Sequence, residues 1–286
     1  YALVEELQEP RLHRLGTIAL HGHELPAYRS HSGPLDTDLV YRGGIRAASY
    51  EDIAIAEAEV TELSVEMRSK LAATGHADKY AGGKGLLVLE GARPRPSEMK
   101  CIIRAYEQLM EEHGLANAFV DIVAGDVGTN GLADTYALAR RDHSDDPFWQ
   151  AVAAGKSPEL GGRAFRPAAT SWGAYNSHLT LLNHYGHERV SVAVQGFGEV
   201  GSWYAYFAST DPANRVYINA ISDLGGKLYT NDPEGIAITE HMVHEIGDNK
   251  NFRGNKIAAL AAYIRANQPH IELLHDANPD TITEHP

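Results

Sequence analysis

The sequence predicts an α/β protein made of two domains. The chain has 286 residues, which exceeds the usual size of one domain and favours about two. Short apolar runs alternate with longer segments of helical periodicity, an order that is typical of strands joined through helices. The pattern changes after Gly186, where a new strand-rich segment begins. We therefore expect one domain over residues 1–186 and another over residues 187–286.

The composition indicates a globular chain without a membrane span. Hydrophobic residues make up 43% of the sequence, and no apolar run approaches the roughly 18 residues that a spanning helix needs. The net charge of −13 argues against a basic surface for nucleic acid or anionic lipid. The single cysteine, Cys101, excludes an internal disulfide and fits a reducing compartment. We expect a cytoplasmic protein whose partners include neither nucleic acid nor membrane.

Two helices are predicted in the first part of the chain. Residues 1–10 lack the basic start and apolar centre of a secretory signal, and their spacing predicts a helix. Residues 49–73 are rich in helix formers, and their apolar side chains recur at close to helical spacing. This pattern predicts a long, partly buried helix that carries Lys70 at its end.

Two strands and a further helix are predicted to follow. The apolar run of residues 85–89 predicts a buried strand. The segment Pro96-Ser97-Glu98 is a typical helix start, and we expect this helix to extend to about residue 113. A second strand is predicted over residues 118–123. Residues 125–129 then form a loop, the kind of segment in which a rigid scaffold commonly holds reactive groups.

The second domain is predicted to open with a βαβ unit. Residues 142–167 mix proline, glycine and charges and are predicted to be irregular, and a helix over residues 171–185 is expected to form the hinge. A β-branched strand over residues 190–194 is followed by glycines, a helix and a second strand over residues 216–222. This order is that of two parallel strands with a crossover helix.

A glycine-rich loop lies between that first strand and its helix. The first glycine of a G-x-G-x-x-G sequence permits a tight turn, and the second lets a pyrophosphate approach the backbone. The third permits close packing of the helix, whose N-terminus attracts the anion. The loop therefore indicates a Rossmann-like domain that binds NAD or NADP; the alternative is a glycine turn without a ligand. Its residues are Gly196, Phe197, Gly198, Glu199, Val200 and Gly201.

Asp223 ends the next predicted strand and allows two interpretations. An acidic side chain at this position can accept hydrogen bonds from the adenosine ribose, which would favour NAD. Asp223 can equally cap the backbone of the turn that follows it. The choice between NAD and NADP therefore stays open.

Lys84 is unlike an ordinary surface lysine because glycines enclose it in the sequence Gly82-Gly83-Lys84-Gly85, next to a predicted buried strand. Burial would lower the pKa of its ammonium group and make a neutral amine available. The alternative is a loop lysine that is fully hydrated, which is the commoner environment of lysine.

Three other charged residues suit an amino-acid ligand. Arg42 and Lys70 could hold carboxylates, and Asp126, in the loop after the second strand, could exchange a proton with an amino group. Taken one at a time, Asp126 could instead cap a helix and Arg42 could form a surface ion pair. The 15 histidines are scattered without metal-ligand spacing, so we predict no metal site.

The order of these motifs resembles the glutamate, leucine, phenylalanine and valine dehydrogenase family, most closely its glutamate dehydrogenase branch. The likeness extends over nearly the whole chain from about residue 36. It rests on six blocks in the family's order, at residues 41–46, 67–70, 82–85, 124–128, 161–170 and 196–201.

The resemblance implies a role for several residues. Lys84 resembles the catalytic lysine of the family and Asp126 its catalytic aspartate, while Lys70 resembles the lysine that binds the substrate α-carboxylate. Thr170 resembles a threonine near the nicotinamide amide. Arg42 stands where glutamate dehydrogenases carry a lysine for the side-chain carboxylate, and a cation there favours an acidic substrate.

The resemblance also implies a reaction and an assembly. An L-amino acid, with glutamate the leading candidate, would be oxidised by hydride transfer to NAD or NADP and released as a 2-oxo acid and ammonia. The domain of residues 1–186 would serve substrate binding, catalysis and assembly, and through it the protein would form a homo-oligomer, plausibly a hexamer. Two alternatives remain: a dehydrogenase for an apolar or unusual amino acid, and a weakened homologue with a nucleotide-binding or structural role. Glu199, Arg163 and Phe165 differ from the residues that the family commonly carries at these positions, and this difference motivates the second alternative.

Overall fold

The computed structural model describes residues 9–20, 23–33, 38–91, 94–129, 131–249, 252 and 254–276. The contacts group Tyr1–Ala164 into one compact unit and Phe165–Pro286 into another. This division precedes the predicted boundary at residue 186 by one helix, Arg166–Tyr185, because that helix contacts the next helix along the chain, Glu199–Thr210. The predicted helix of residues 1–10 lies mostly outside the described residues.

The first unit contains a six-stranded mixed sheet with helices on both faces. The strand order is β1-β2-β4-β3-β5-β6, in which β3 to β6 are parallel and β2 pairs antiparallel with both β1 and β4. The strands are β1 (Arg11–Leu20), β2 (His23–Ser32), β3 (Val40–Ala48), β4 (Tyr80–Val88), β5 (Asp121–Gly125) and β6 (Ala153–Ala154). The helices are α1 (Ile53–Ala73), α2 (Pro96–Glu112) and α3 (Leu132–His143), and a 3-10 turn spans Pro158–Leu160.

Two apolar layers hold this sheet. On one face, Ala56 and Val60 of α1 pack against Leu86 and Val88 of β4. On the other face, a larger cluster joins the strands to α2 and α3, with Ile45 among its fully buried members. Successive side chains of a strand point to opposite faces, so even-numbered residues of β3 and β4 face α1 and odd-numbered residues face α2 and α3.

The helices α1 and α2 confirm the helical predictions, whereas the strands differ in their bounds. Strand β4 begins at Tyr80, so Lys84 lies inside the strand and not in a loop before it. The glycines concealed this start, because glycine lacks the side chain by which strands are recognised. Strand β5 begins and ends later than predicted, so Gly125 still belongs to the strand. Strands β1 to β3 were not predicted.

The second unit contains a four-stranded sheet in the order β10-β9-β8-β7. Strands β7 and β8 are parallel and are joined through α5, which confirms the predicted βαβ unit. The elements are α4 (Arg166–Tyr185), β7 (Val190–Gln195), α5 (Glu199–Thr210), β8 (Val216–Asp223), β9 (Gly226–Tyr229), α6 (Glu240–Met242), α7 (Lys256–Asn267) and β10 (Leu274–Asp276). A π-helical turn, Val243–Gly247, continues α6.

The segment that was predicted to be irregular contains β6 and the 3-10 turn, and α4 begins at its end, earlier than residue 171. Pro167 in the first turn of α4 fits this start, because a helix has no use for the missing N–H there. None of the helices in the described part of the chain combines the length and apolar character needed to cross a bilayer.

Candidate active site

Lys84 and Asp126 meet across the central strand of the first unit. Lys84 lies on β4 and Asp126 follows β5, and both strands pair with β3. The Lys84 Nζ atom donates a short hydrogen bond to Asp126 Oδ2, and the two groups form an ion pair. The Lys84 side chain is 8% exposed and that of Asp126 is 21% exposed. The pair is therefore largely desolvated but can still be reached from solvent.

The loop after β5 is anchored so that Asp126 points towards Lys84. Thr129 Oγ1 donates a hydrogen bond of 2.7 Å to the Ile45 carbonyl of β3, and it accepts one of 3.0 Å from the Asp126 N–H. Gly128 has a φ of +86°, and a Cβ atom there would lie 2.2 Å from the Ala47 carbonyl oxygen. The loop thus lies directly against β3, in a conformation that glycine adopts without strain.

Burial and neighbouring charges set the protonation of the pair. Burial lowers the pKa of Lys84, and the hydrogen bond and charge of Asp126 offset this only in part. Burial alone would raise the pKa of Asp126, but the hydrogen bond and charge of Lys84 outweigh it and hold this pKa below its usual value. Asp126 is therefore a carboxylate at neutral pH, and the amine of Lys84 loses its proton more easily than a lysine in water.

A buried ion pair lies behind Lys84, on the opposite face of β4. The guanidinium of Arg29 on β2 is fully buried, and its Nε donates a hydrogen bond of 2.7 Å to Asp121 Oδ2. A Cβ atom at Gly83 would lie 2.7 Å from Arg29 Nη2, and one at Gly85 would lie 2.5 Å from Tyr106 Oη. The two glycines that flank Lys84 therefore make room for the guanidinium and the phenol.

Arg46 and Glu59 extend the charged groups on the α1 face, and the sequence prediction did not single them out. Arg46 Nε lies 3.4 Å from Asp126 Oδ2, and Arg46 Nη1 forms a short ion pair with Glu59 of α1. Arg46 lies in the motif of residues 41–46, but its contacts depend on how α1 packs on the sheet. The signal that could have found it is its alternation with Arg42 and Gly44 on one face of β3.

The structure places the two predicted substrate cations apart from this pair. Arg42 is half-buried on the α1 face of β3, beside Gly82, and its guanidinium lies 4.4 Å from the ring centroid of Tyr80. Lys70 is exposed in the last turn of α1. Among the described residues, no hydrogen bond or ion pair joins Arg42 or Lys70 to Lys84 or Asp126.

In the second unit the glycine-rich loop connects β7 to α5 as predicted. Gly196 has a φ of +86°, and a Cβ atom at Gly201 would lie 1.9 Å from the Gly196 carbonyl oxygen, so the third glycine permits the close approach of α5. A pocket of about 440 Å³ lies beside the loop, within the usual size of small-molecule sites. It is lined by Val192, Ala193, Val194, Gln195, Gly196, Gly198, Val200, Gly201 and Tyr204.

Contacts from outside the loop hold Phe197, the residue between its first two glycines. The Phe197 side chain is fully buried in the core of the second unit, so only its backbone could face a ligand. The Phe197 N–H donates to Asp223 Oδ2 at 2.9 Å, and the Phe197 carbonyl accepts from Lys256 Nζ at 2.9 Å. The other oxygen of Asp223 accepts from the Leu224 N–H at 2.7 Å. Asp223 therefore caps its own turn and also ties β8 to the loop.

The remaining predicted cofactor residues lie near helix starts. Glu199 and Val200 are in the first turn of α5, where Val200 is 45% exposed and Glu199 half-buried. Thr170 is exposed in the first turns of α4. Within the part of the chain that the structure describes, no group of three or more His, Cys, Asp or Glu side chains could hold a metal ion.

The fold and the loop define a class of protein: an α/β unit that precedes a unit of the nucleotide-binding type. Two family models match the chain. Residues 24–138 match the dimerisation domain of Glu/Leu/Phe/Val dehydrogenases, and residues 161–277 match the model named Glutamate/Leucine/Phenylalanine/Valine dehydrogenase. The chain belongs to the glutamate, leucine, phenylalanine and valine dehydrogenase family, as the order of its motifs predicted.

Similar proteins include archaeal glutamate dehydrogenases. The NADP-specific glutamate dehydrogenase of Saccharolobus shibatae is 30% identical over 220 residues, which are 76% of this chain and 49% of that protein. The glutamate dehydrogenase of Aeropyrum pernix is 31% identical over 225 residues, 77% of this chain and 51% of that protein. The chain thus spans about half the length of the curated relatives it matches.

Solved structures show the same fold. The hetero-hexameric glutamate dehydrogenase of Thermus thermophilus, in its leucine-bound form, superposes with a TM-score of 0.63 at 21% identity. The match covers 92% of this chain and 56% of that one. This likeness confirms the predicted α/β fold class with its nucleotide-binding second unit.

Proposed function

We propose that the protein is an NAD- or NADP-dependent amino-acid dehydrogenase that oxidatively deaminates an L-amino acid, with glutamate as the substrate. The observation that carries this proposal is the desolvated pair of Lys84 and Asp126. A carboxylate beside an amine of lowered pKa can pass protons to and from a reacting amino acid near neutral pH.

The two groups of the pair have complementary roles in this proposal. Asp126, ionised under these conditions, exchanges a proton with the substrate nitrogen. Lys84, in its neutral form, takes a proton from the water that attacks the oxidised carbon and later returns it to the leaving nitrogen. The products are the 2-oxo acid and ammonia. The loop after β5 holds Asp126 in contact with Lys84, so the orientation of the two groups supports this chemistry.

Two cations of the first unit, Lys70 and Arg42, are proposed to determine substrate specificity. Lys70 binds the α-carboxylate and Arg42 the side-chain carboxylate of glutamate. A guanidinium presents a planar fork to a carboxylate, and stacking on Tyr80 restricts the orientation of that fork. Arg42 on the face that also carries Lys84 supports an acidic substrate.

The second unit fits a dinucleotide. At Gly201 the loop backbone lies too close to leave room for a Cβ atom, so α5 begins directly against the loop. The N-terminus of α5 therefore lies beside the pocket, where it can attract an anion. Gly196 and Gly198 would hold the pyrophosphate, with Glu199 and Val200 beside it and Thr170 near the nicotinamide, while Gly201 would let α5 approach. When bound, NAD or NADP supplies the hydride acceptor. Asp223 stays a candidate ribose ligand, although both of its oxygens already accept backbone hydrogen bonds.

We also infer a homo-oligomer, plausibly a hexamer, located in the cytoplasm. The match of residues 24–138 to a dimerisation domain supports association of the first unit. The hexameric assembly is that of a structural relative at 21% identity, and it enters here as a proposal.

The test is a spectrophotometric assay of the protein with a panel of amino acids and either NAD or NADP. Reduction of one nicotinamide with glutamate supports the proposal and identifies the cofactor. Lys84→Ala should then reduce turnover by at least about a hundredfold, the usual contribution of a general base, while Lys100→Ala on α2 keeps it. Absence of reduction with every amino acid would favour the weakened homologue, and full activity of Lys84→Ala would reject the mechanism.

A second substrate class follows from the contact of Arg42 with Tyr80. If this stacking holds the guanidinium permanently, Arg42 is a structural cation and the substrate side chain is apolar. Arg42→Leu distinguishes the two: a selective loss of glutamate activity indicates carboxylate binding, whereas unchanged specificity for an apolar amino acid indicates the structural role.

A further inference from the structure

A second cation reaches the carboxylate of Asp126 from β3. Arg46 Nε lies 3.4 Å from Asp126 Oδ2, the oxygen that also accepts from Lys84 Nζ. The Nε atom is fully buried and has no hydrogen-bond partner among the described residues, so this ion pair is the contact recorded for it. One carboxylate oxygen is therefore flanked by an ammonium and a guanidinium.

Helix α1 holds the other end of the same guanidinium. Arg46 Nη1 forms a short ion pair with Glu59, in the first half of α1, and the side chains of the two residues are 25% and 31% exposed. The phenol of Tyr50 lies in the same group, and burial together with the negative charge of Glu59 raises its pKa to about 12. The four charges alternate in sign from Glu59 through Arg46 and Asp126 to Lys84.

We propose that Arg46 is a positioning residue. Glu59 holds its guanidinium, which keeps the Asp126 carboxylate against Lys84 and adds a positive charge that acts on the Lys84 amine. The inference deepens the proposed function and rests on it for its kinetic consequence. A planar guanidinium suits this task because its separate nitrogen atoms can engage carboxylates on two different elements at once.

The positions of the charges determine the direction of the effect. The positive charge of Arg46 disfavours a proton on Lys84 and favours the ionised form of Asp126, so it lowers the pKa of both groups. Among the described residues, Asp126 acts on Lys84 in contact, Arg46 acts from the same face and Arg29 from the opposite face. Glu59 is linked to this group by its ion pair with Arg46. Arg46 and Glu59 have opposite signs, so their removal should have opposite effects.

The experiment measures the pH dependence of kcat/KM for three variants of the full chain. Arg46→Met should move the acid limb of the profile to higher pH by about one unit, the lower end of the pKa shift that a neighbouring charge causes. Glu59→Gln leaves the charge of Arg46 uncompensated and should move that limb to lower pH by a smaller amount. Arg46→Lys keeps the charge and should keep the limb near its wild-type position, with part of the turnover restored relative to Arg46→Met.

Glu57→Gln is the matched control. Glu57 lies on the same helix, and its carboxylate accepts two hydrogen bonds from Arg14, at 2.8 and 2.9 Å. The substitution removes the same charge from an ion pair that does not contact Lys84 or Asp126. We expect its pH profile to match that of the wild type.

A second readout does not require catalysis. The rate at which trace acetic anhydride acylates Lys84, followed by peptide mass spectrometry across pH, reports the protonation of this amine directly. In Arg46→Met the midpoint pH of Lys84 acylation should rise, and in Glu57→Gln it should stay at the wild-type value. An unchanged midpoint in Arg46→Met, or equal shifts in Arg46→Met and Glu59→Gln, would overturn the inference. Inactivity of the wild type with all amino acids would reject only the proposed function, since acylation still tests Arg46.

Discussion

Gly44 and Asp126 share the space above the central strand of the first unit: a Cβ atom at Gly44 would lie 2.9 Å from the Cβ of Asp126. Gly44 lies on β3, between the strand that carries Lys84 and the strand that precedes Asp126. The missing side chain is what lets the carboxylate cross β3 to the amine. The glycine is thus part of the site although it has no reactive group.

Gly44→Ala should therefore impair the reaction more than the fold. The added methyl group must displace Asp126, and a misplacement of about 1 Å can cost about a hundredfold in rate. We expect a loss of ten- to a hundredfold in kcat, roughly, with an unchanged circular dichroism spectrum. Gly173→Ala is the control, because a Cβ atom at Gly173 in α4 meets nothing within 4 Å. Equal kcat values for the two variants would contradict this account.

Asp121→Asn should destabilise the first unit strongly. The substitution leaves the guanidinium of Arg29 buried without a counter-charge, and breaking a buried pair in this way costs about 3–5 kcal/mol. Urea denaturation measures the loss. Asp142→Asn, which removes one carboxylate from an exposed cluster with Arg104 and Arg141, should have a much smaller effect. If both substitutions lower the free energy of unfolding only slightly, water or another group must form hydrogen bonds to the buried Arg29 guanidinium in Asp121→Asn.

His13 should make the first unit less stable in mild acid. Burial, with the charges of His31, Arg11 and His113, lowers the pKa of His13 to about 4 from the ordinary value of 6.5. The unfolded chain therefore binds a proton first as the pH falls, and stability declines from about pH 6.5 to about pH 4.

His13→Gln removes that contribution, so the free energy of unfolding should depend less on pH in this range. The measurement is urea denaturation at pH 7 and pH 5. His241→Gln, which replaces an exposed imidazole in α6, serves as the comparison. A slope that His13→Gln leaves unaltered would place the acid sensitivity elsewhere, for example at His31.

Asp223→Ala distinguishes the two interpretations of that carboxylate. Because Asp223 accepts from the Phe197 and Leu224 N–H groups, its loss should lower the thermal midpoint of the second unit without any nucleotide present. Dinucleotide affinity, measured by fluorescence titration, should fall as well because the loop is less ordered. An unchanged midpoint combined with lost affinity would instead indicate a direct ribose contact.

Local patterns predicted the parts of the fold that depend on neighbours in the sequence. Helix α1 was found because its apolar side chains recur at close to helical spacing, and α2 was found because Pro96-Ser97-Glu98 is a typical helix start. The loop of residues 196–201 was found because its glycines stand at a fixed spacing between a strand and a helix. The Lys84 and Asp126 motifs were recognised from their order along the chain, and their contact is visible only in the structure.

Strand β2 shows why the rest could not be predicted. Its sequence contains Arg29 and His31, which read as solvent-facing residues, yet both are buried because they bond to Asp121 about ninety residues later. No local period reports a partner so distant. The same reason applies to Arg46 and Glu59, whose contact needs α1 to lie across β3.

The crossing of β3 by the reactive pair also affects how the chain reaches its working state. Lys84 and Asp126 become neighbours only when two successive crossovers, one through α1 and one through α2, have both closed on β3. Such non-local closures are the slow steps of folding. Catalytic activity should therefore return later than helical content during refolding, and the pair would be a reporter of the last sheet contacts to form.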